Sequence, residues 1–351
     1  MLLSFLKLTN VTRVNPKANI FFGIFTLLWS TFWLDEMIMP QSLSPQSVIY
    51  AALHFLQFLV PITFYLSIVF YTNPNFKFTP KHLWHLFPPL LFLMLLVAES
   101  KISEQYLHTV YIVLFLANSL FYTLAAYAKI QKHQKDIEQF HSSTEDIDLR
   151  WIKYIIYTFI SAAILTTGYN IITGADPLNV YINIFFLAVV YLVAFYSMRQ
   201  KAIYPQGISL EEVQEDAHVA RHEEKRNQKT KLLSDSELEF AKQSLLRMMA
   251  EEQPYLDSEL NLIKLAQRME ISTHQLSYLI NTGLGTNFFN FINQYRVTKA
   301  QELLVNKEYD HLNMLVIGYE SGFNSKTSFN TTFKKITSLT PSEYRNQKKR
   351  S

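Results

Sequence analysis

The sequence predicts an all-α protein in which a polytopic transmembrane helical domain precedes a soluble, all-helical tandem helix-turn-helix domain. The first observation is the uneven distribution of charge. Residues 1–199 contain 12 Lys/Arg and 10 Asp/Glu, and residues 200–351 contain the other 20 and 19 of the 32 and 29 in the chain. The second observation is a series of long apolar windows confined to residues 1–199. Together they indicate a domain boundary near residue 199, where the chain changes its solvent.

Six windows in the first half approach the length of about 20 apolar residues that a membrane-spanning helix needs. They cover residues 18–39, 47–71, 83–98, 106–128, 151–173 and 178–198. Window 83–98 contains Pro88 and Pro89, which membrane helices tolerate because neighbouring groups satisfy the freed carbonyls. Such a series, separated by short polar segments, favours membrane spans over buried helices of a globular protein.

Basic residues alternate between the predicted loops as the positive-inside rule requires. Lys or Arg occurs before the first span, in the 72–82 and 129–150 loops and after residue 199, but not in the 40–46 and 174–177 loops. The 99–105 loop balances Lys101 with two glutamates. The expected localisation is therefore the inner (cytoplasmic) membrane, multi-pass, with both termini and the C-terminal domain in the cytoplasm.

Polar side chains inside the predicted spans have two interpretations. They form a sensor site, or they join neighbouring helices by hydrogen bonds. The candidates are His54, Gln57, Asn118, Asn170 and Asn183. No acidic or basic residue lies clearly in the middle of a span, which argues against a proton or ion pump.

The residue types argue against several kinds of chemistry. The chain contains no cysteine, which excludes a disulfide framework, a thiolate zinc site and a cysteine nucleophile. No catalytic constellation is visible in the sequence. We therefore predict that the protein is not an enzyme, and we predict no cofactor and no metal site.

Residues 200–234 are predicted to form a charged cytoplasmic linker. Mixed charges dominate there and large apolar residues become rare. Pro205 and Gly207 argue against a helix that continues unbroken from the last span.

The C-terminal domain, residues 235–351, begins with a predicted helix over 236–252. Ser234 or Ser236 caps it, and Pro254 ends it. The next stretch, LNLIKLAQRMEISTHQLSYLINTGLG, contains two short helices around a turn at Ile271, with Ser272 as the N-cap of the second. Two short helices joined by a tight turn form a helix-turn-helix.

The second of these helices exposes polar side chains opposite its apolar stripe of Leu276, Leu279 and Ile280. In a helix-turn-helix, such side chains reach base edges and phosphates of the major groove. The predicted DNA-binding residues of this first unit are Ser272, Thr273, His274, Gln275, Ser277 and Tyr278.

Residues 287–305 predict a longer amphipathic helix. Its apolar positions supply more surface than one helix-turn-helix needs: Phe288, Phe291, Ile292, Tyr295, Val297, Ala300, Leu303 and Leu304. We expect this helix to pack against both of its neighbours and to hold them at a fixed spacing.

The helix-turn-helix pattern then repeats. Residues 314–321 predict a short helix, Gly322 supplies a turn in which a positive φ is cheap, and Asn324 or Ser325 caps a helix that buries Phe329 and Phe333. The predicted DNA-binding residues of this second unit are Asn324, Ser325, Lys326, Thr327, Asn330, Thr331 and Lys334.

The end of the chain is basic. Residues 321–351 carry seven Lys/Arg against Glu343 alone, a balance of 7 − 1 = +6, which suits phosphate contacts. For the terminal Lys348, Lys349 and Arg350, the alternative is that they only solvate the end of the chain.

These residues also carry a resemblance to a known family. The stretch IGYESGFNSKTSFNTTFKKITSLTPSEYR at 317–345 resembles the C-terminal signature of AraC-type transcription regulators, and LIKLAQRMEISTHQLSYLIN and NFFNFINQYRVTKAQELL match in the same order. The resemblance covers residues 236–346 and implies two helix-turn-helix units that are bridged by a long helix and read two successive major-groove segments. It places Ser272 to Tyr278 on the first recognition helix and Ser325 to Lys334 on the second.

Two positions depart from the family pattern. Gly318 stands where Ala is usual, which is expected to weaken the first helix of the second unit by up to about 1 kcal/mol. Ser338 stands where Gly is usual, in the turn before TPSEYR. The first half resembles the membrane-embedded sensor regions of a subset of these regulators, many with seven spans, and the sequence leaves open whether a seventh is missing.

The predicted function is a membrane-anchored, sequence-specific transcription regulator that responds to a signal at its membrane domain. The predicted partners are double-stranded promoter DNA, membrane lipid, a second copy of the chain, RNA polymerase and a signal molecule. Two alternatives stay open. One is a transporter or membrane sensor with a regulatory tail, and the other is an adaptor whose helical tail docks onto another protein.

Overall fold

The computed structural model describes residues 2–9, 15–32, 48–97, 104–145, 147–173 and 233–350, together with a few positions between 184 and 197. In this part of the chain the regular structure is helical, apart from an isolated antiparallel bridge between His141 and Asn261. The all-α prediction is therefore confirmed for the described residues. The chain forms two compact units, one of residues 1–133 and 149–210 and the other of residues 134–148 and 211–351.

The first unit consists of helices around an aromatic core. Its described helices are α1 (Leu2–Leu8), α2 (Pro16–Trp29), α3 (Val48–Phe58), α4 (Val60–Thr72), a 3-10 helix (Pro80–Leu86), α5 (Phe87–Val97), α6 (Glu104–Ile137) and α7 (Arg150–Thr173). Asn15 caps α2 and also donates from Nδ2 to the Phe70 carbonyl of α4 at 2.8 Å. Phe22, Phe25 and Phe64 are buried where α2 packs against α4.

Two helices of the described residues are long and apolar enough to cross a membrane. They are Ala51–Thr72 and Thr109–Ile137, with mean hydropathies of 1.8 and 1.7. They overlap the predicted spans 47–71 and 106–128. Helices α5 and α7 lie on the predicted spans 83–98 and 151–173, whereas part of 18–39 and most of 178–198 fall outside the described residues. The six-span arrangement stays a prediction.

Three predicted spans differ from the helices. Residues 83–86 of the 83–98 window belong to the 3-10 helix Pro80–Leu86 rather than to α5. The 47–71 window is divided at Leu59, because Pro61 has no backbone N–H to donate to the preceding turn. The 106–128 span was drawn too short, because α6 continues to Ile137. Lys129, Lys132 and Lys135 therefore lie on a helix rather than in the predicted 129–150 loop.

The predicted sensor residues occupy different surroundings. Asn118 of α6 is buried and donates from Nδ2 to the Phe58 carbonyl of α3 at 3.1 Å, so it joins two helices as interhelical polar residues do. Gln57 is buried and His54 is half-buried. The side chains of Asn170 and Asn183 lie outside the described residues. A sensing role for any of them stays a prediction.

The described helices of the second unit follow the predicted order. They are α8 (Asp235–Glu251), α9 (Leu262–Arg268), α10 (Thr273–Tyr278), α11 (Phe288–Val305), α12 (Met314–Glu320), α13 (Lys326–Thr337) and α14 (Pro341–Arg350). Ser234 rather than Ser236 caps α8, through a capping box with Glu237. The predicted linker lies outside the described residues except for Leu233 and Ser234.

Helix α11 divides the apolar interior of the second unit into two cores. Its N-terminal half supplies Phe288, Phe291 and Ile292 to a first core that also contains residues of α8, α9 and α10. Its C-terminal half supplies Val297, Ala300, Leu303 and Leu304 to a second core, which also contains Ile317, Phe323, Phe329 and Phe333. The prediction that this helix packs against both helix-turn-helix units is confirmed.

Candidate nucleic-acid interface

The turn between α9 and α10 is fixed by local backbone and side-chain bonds. Glu270 has a left-handed conformation with φ 56°, and the Ile271 N–H donates to the Ala266 carbonyl at 3.1 Å. Ser272 then caps α10. Its hydroxyl accepts from the Gln275 N–H at 3.1 Å, and the Gln275 side chain accepts from the Ser272 N–H at 3.0 Å. This capping box sets the start of the first recognition helix, as predicted for Ser272.

The predicted DNA-binding residues of the first helix-turn-helix lie around the start of α10. Ser272 is exposed, and the side chains of Thr273, His274, Gln275, Ser277 and Tyr278 are half-buried. Leu276, Leu279 and Ile280 are buried in the first core, which leaves the other side chains on the remaining faces. Because the Gln275 carbonyl accepts from Ser272, its amide group is the part of this side chain that can donate to a base. Contact of these residues with DNA stays a prediction.

The way α10 ends was not predicted. Residues Leu279–Gly283 form a π-helical turn, which the Leu284 N–H closes by donating to the Leu279 carbonyl at 3.1 Å. A Cβ at Gly283 would lie 3.3 Å from side-chain atoms of Leu238 and Leu279, so a small residue allows α10 to end close to α8.

The turn of the second helix-turn-helix requires Gly322 for two reasons. Its φ is 88°, a conformation that favours glycine, and a Cβ at this position would overlap the Tyr255 carbonyl oxygen. The turn therefore lies against the short 3-10 helix Pro254–Leu256, which follows α8. The predicted glycine turn is confirmed, and the close approach is an additional constraint.

Helix α13, the second recognition helix, begins at a serine cap. The Ser325 hydroxyl accepts from the Ser328 N–H at 3.0 Å, so Ser325 rather than Asn324 is the N-cap. Phe329 and Phe333 are buried in the second core as predicted. Lys326, Thr327, Thr331 and Lys334 are exposed, and Asn324, Ser325 and Asn330 are half-buried. These positions put two ammonium groups and several hydroxyl and amide groups on the outer side of α13.

The departure at Gly318 has a packing explanation. A Cβ at this position in α12 would lie 2.9 Å from Cδ1 of the buried Phe329 ring, closer than carbon atoms normally approach. Glycine therefore lets α12 and α13 pack closely at Phe329. The expected loss of helix propensity accompanies this contact.

Two of the basic residues near the chain end are bound to other groups of the protein, one buried and one at the surface. Arg345 is buried and donates to the Leu312 carbonyl at 3.1 Å and the Tyr309 carbonyl at 3.5 Å. Lys349 forms an ion pair with Asp310 at 2.9 Å, and this hydrogen bond holds the pKa of the Asp310 carboxyl below its usual value. The local charge of +6 therefore overstates the number of cations that are available for phosphates.

Lys335 was absent from the predicted site. It is exposed on α13, and its Nζ lies 5.7 Å from the centre of the Phe289 ring of α11. The ammonium group of Lys335 therefore lies over an aromatic face, next to the N-terminus of α11. Its signal in the sequence was its position directly after Lys334, on a helix that carries three lysines.

The buried Arg296 of α11 bonds to the backbone between α8 and α9. Its side chain is 1% exposed. Nε donates to the Tyr255 carbonyl at 2.8 Å, and NH2 donates to the Asp257 carbonyl at 2.8 Å. Burial lowers the pKa of the guanidinium to about 10, while Asp257 and Glu259 raise it, so the group is charged at neutral pH. The missed signal was an arginine on the apolar stripe of α11, four residues after Ile292.

Comparisons with known proteins agree with this geometry. Residues 265–347, which run from α9 into α14, match the family model described as a helix-turn-helix domain. The chain is similar to the arabinose operon regulatory protein of Salmonella typhimurium, with 29% identity over 89 residues, which is 25% of this chain and 31% of the relative. The chain thus matches less than a third of that relative's length. No solved structure matches the chain. These findings support DNA-binding transcription regulation as the class of function.

Proposed function

We propose that this protein is a membrane-anchored, sequence-specific DNA-binding transcription regulator of the AraC type. Its second unit binds promoter DNA with helices α10 and α13, and its first unit anchors the chain in the cytoplasmic membrane and receives a signal. The observation that carries the proposal is the pair of capped recognition helices on either side of one shared helix, α11.

The geometry of the second unit supports DNA reading. In a helix-turn-helix, residues at the N-terminal end of the second helix contact base edges, and both Ser272 and Ser325 fix that end by capping. The side chains around these caps are hydroxyls, amides, an imidazole and lysines, which are the groups that bond to base edges and phosphates. The first and second cores share α11, which limits independent motion of the two recognition helices.

The proposed membrane anchor is supported by sequence and by helix composition. Ala51–Thr72 and Thr109–Ile137 are long and apolar enough to span a bilayer, and many apolar side chains of α5 and α6 are exposed, among them Leu90, Met94, Val113 and Leu120. Exposed apolar side chains of this kind suit contact with lipid chains. The alternation of basic and non-basic segments in the sequence supports a cytoplasmic location of α8–α14, where promoter DNA is accessible in a bacterium.

The test uses the full chain in lipid nanodiscs. We would select bound fragments from genomic DNA, map the protected bases and repeat the binding at several salt concentrations. We expect preferred sites, and we expect the double variant Lys326→Ala/Asn330→Ala to bind those sites more weakly and with a salt dependence reduced by about one phosphate contact.

The matched control is Lys242→Ala, which removes a cation from α8, outside both helix-turn-helix units. It should keep site preference and affinity. Binding without preferred sites, or an unchanged affinity in the Lys326→Ala/Asn330→Ala variant, would contradict the proposal and favour a docking role for the helical tail.

A further inference from the structure

The last turn of α6 and most of the connection to α7 form part of the second unit. Residues 134–148, here called the docking segment, follow the apolar part of α6 and precede α7. The Gln134 side chain donates from Nε2 to the Asp148 carbonyl at 2.9 Å, so the two ends of the segment lie together. The sequence predicted that these residues belong to a loop, 129–150, between the spans 106–128 and 151–173.

The docking segment bonds first to the N-terminus of α9. The Leu262 N–H, one of the donors that a helix start leaves unsatisfied, donates to the Phe140 carbonyl at 2.9 Å. His141 pairs with Asn261 in the isolated bridge. The Phe140 side chain packs against the first core. The contact therefore combines backbone pairing with apolar burial.

The segment also bonds to the N-terminus of α11. The Phe289 N–H donates to the Glu138 carbonyl at 3.0 Å. The Asn287 side chain, which caps α11, lies with Nδ2 3.5 Å from a Glu138 carboxylate oxygen. A second helix start thus receives acceptors from the same short segment.

Ser142 is the centre of the docked segment. Its carbonyl accepts from Asn293 Nδ2 at 3.0 Å and from Arg296 NH1 at 3.2 Å. Its hydroxyl lies 3.0 Å from Arg296 NH2 and donates to the Leu260 carbonyl at 2.6 Å. Ser142 and Arg296 are each 1% exposed, and Asn293 is fully buried. Removal of the segment would leave part of a buried guanidinium without acceptors, which is costly.

The last contact is at the second recognition helix. The Ser325 hydroxyl, the N-cap of α13, donates to the Glu145 carboxylate. A carboxylate is favourable at a helix N-terminus because of the helix dipole and the free N–H groups there. DNA phosphates and base edges are expected to approach this same end of a recognition helix. The segment carries five acidic residues against Lys135, a charge pattern that resembles DNA rather than a DNA-binding element.

We propose that the docking segment is an internal ligand of the DNA-binding domain, which occupies the N-terminus of the second recognition helix and competes there with DNA. Because α6 and α7 flank the segment, a change in either helix reaches Glu145 and Ser142 through the chain itself. The segment is the relay between the first unit and α13. This inference rests on the proposed function, since it presumes that α13 binds DNA.

The first experiment measures DNA affinity of the full chain in nanodiscs, with a duplex recovered from the genomic selection as the probe. Glu145→Gln keeps the shape of the side chain but removes the charge that competes with phosphate. We expect it to bind the duplex about fivefold more tightly or better. Glu308→Gln, which removes the same charge from an exposed site on the same domain, is the control and should change affinity much less.

The second experiment follows the docked state directly. The chain contains no cysteine, so Ser142→Cys introduces a single thiol at a buried position. We expect slow labelling by a maleimide in the absence of DNA and at least several-fold faster labelling with the duplex present.

The outcomes separate this inference from the proposed function. If the wild-type chain does not bind any duplex with preference, the proposed function fails. If it binds, but Glu145→Gln and Glu308→Gln have equal affinities and DNA leaves the labelling rate unchanged, the competition is wrong and DNA binding stands.

Discussion

The two helix-turn-helix units have the same plan but different recognition helices. Helix α10 has 6 residues, carries no Lys or Arg and ends in a π-helical turn, whereas α13 has 12 residues and carries Lys326, Lys334 and Lys335. The cap of α10, Ser272, donates to the side chain of Gln275, which belongs to the helix itself. The cap of α13, Ser325, also bonds to Glu145 of the docking segment.

This difference suggests a division of work. The neutral polar side chains of α10 suit direct reading of base edges, which requires hydrogen-bond geometry rather than charge. The lysines of α13 suit phosphate attraction, which supplies affinity and salt dependence. The second helix-turn-helix supplies the affinity, and its recognition helix also contacts Glu145. Regulation through Glu145 would therefore change how much of the DNA is bound more than which sequence is bound.

The largest expected effect comes from Gly322→Ala. The substitution forces a Cβ into the Tyr255 carbonyl and keeps a positive φ, so we expect α12 and α13 to lose about 3–5 kcal/mol of stability. Hydrogen exchange of the full chain under increasing denaturant would measure it. The matched control is Gly285→Ala, which has φ 66° but nothing within 4 Å of its Cβ, and which should cost about 1–2 kcal/mol. Equal losses would show that the close approach is unimportant.

Gly318→Ala is expected to destabilise the second unit by about 1–3 kcal/mol, although alanine favours a helix by about 1 kcal/mol. The reason is the 2.9 Å approach of the new Cβ to the Phe329 ring. Exchange protection in α12 reports the change. In a Phe329→Leu background the same substitution should cost much less, and a stabilising Gly318→Ala in the wild type would contradict this packing.

Ser338→Gly is expected to stabilise the second unit by about 1 kcal/mol. Ser338 has φ 64° at the C-cap of α13, a conformation that glycine adopts without strain. Protection of α13 against exchange would increase. Ser338→Ala is the control, because it removes the hydroxyl and keeps the strained backbone, and an equal gain from alanine would assign the effect to the hydroxyl instead.

The smallest expected effect is a difference between α10 and α14 in how far acid weakens their N-terminal caps. Hydrogen bonds from the Thr340 N–H and hydroxyl hold the pKa of Glu343 below its usual value, so the capping box of α14 is stabilising at neutral pH. A lowered folded-state pKa means that this contribution is complete above the unfolded pKa and is lost as the pH falls through the folded one. The cap of α10 uses Gln275, which does not titrate.

Exchange protection measured from neutral pH down to acid should therefore decline earlier in α14 than in α10. Glu343→Gln keeps an acceptor at the cap and removes the titration. It should flatten the decline in α14, and an unchanged decline would assign acid sensitivity to other groups, such as the Asp310–Lys349 pair.

Caps, turns and apolar helix faces, which depend on residues close together in the sequence, made much of the second unit predictable. Ser272 was identified as a cap because its side chain bonds only three residues ahead, and Gly322 was identified because its turn needs a positive φ. The long apolar face of α11 predicted a helix shared by two cores. These features depend on neighbours in the sequence, so one sequence contains the information.

The docking segment and Arg296 were not predictable in the same way. Arg296 bonds to Ser142, which is 154 positions earlier, and neither residue has a local motif. The basic residues around 129–150 indicate the orientation of the spans. The acidic residues there do not bear on orientation, because only Lys and Arg determine it. Those acidic residues are the feature that marks the segment as a ligand for the lysine-bearing helix α13.

The most direct test of the central claim is the salt dependence of DNA binding for two variants of the full chain in nanodiscs. Lys326→Ala on α13 should reduce the slope of log affinity against log salt by about one and leave site preference intact. Ser277→Ala on α10 should keep the slope and weaken the preference at one position of the site. Equal slopes for both variants, or a lower slope from Ser277→Ala, would contradict the division of DNA reading between the two units.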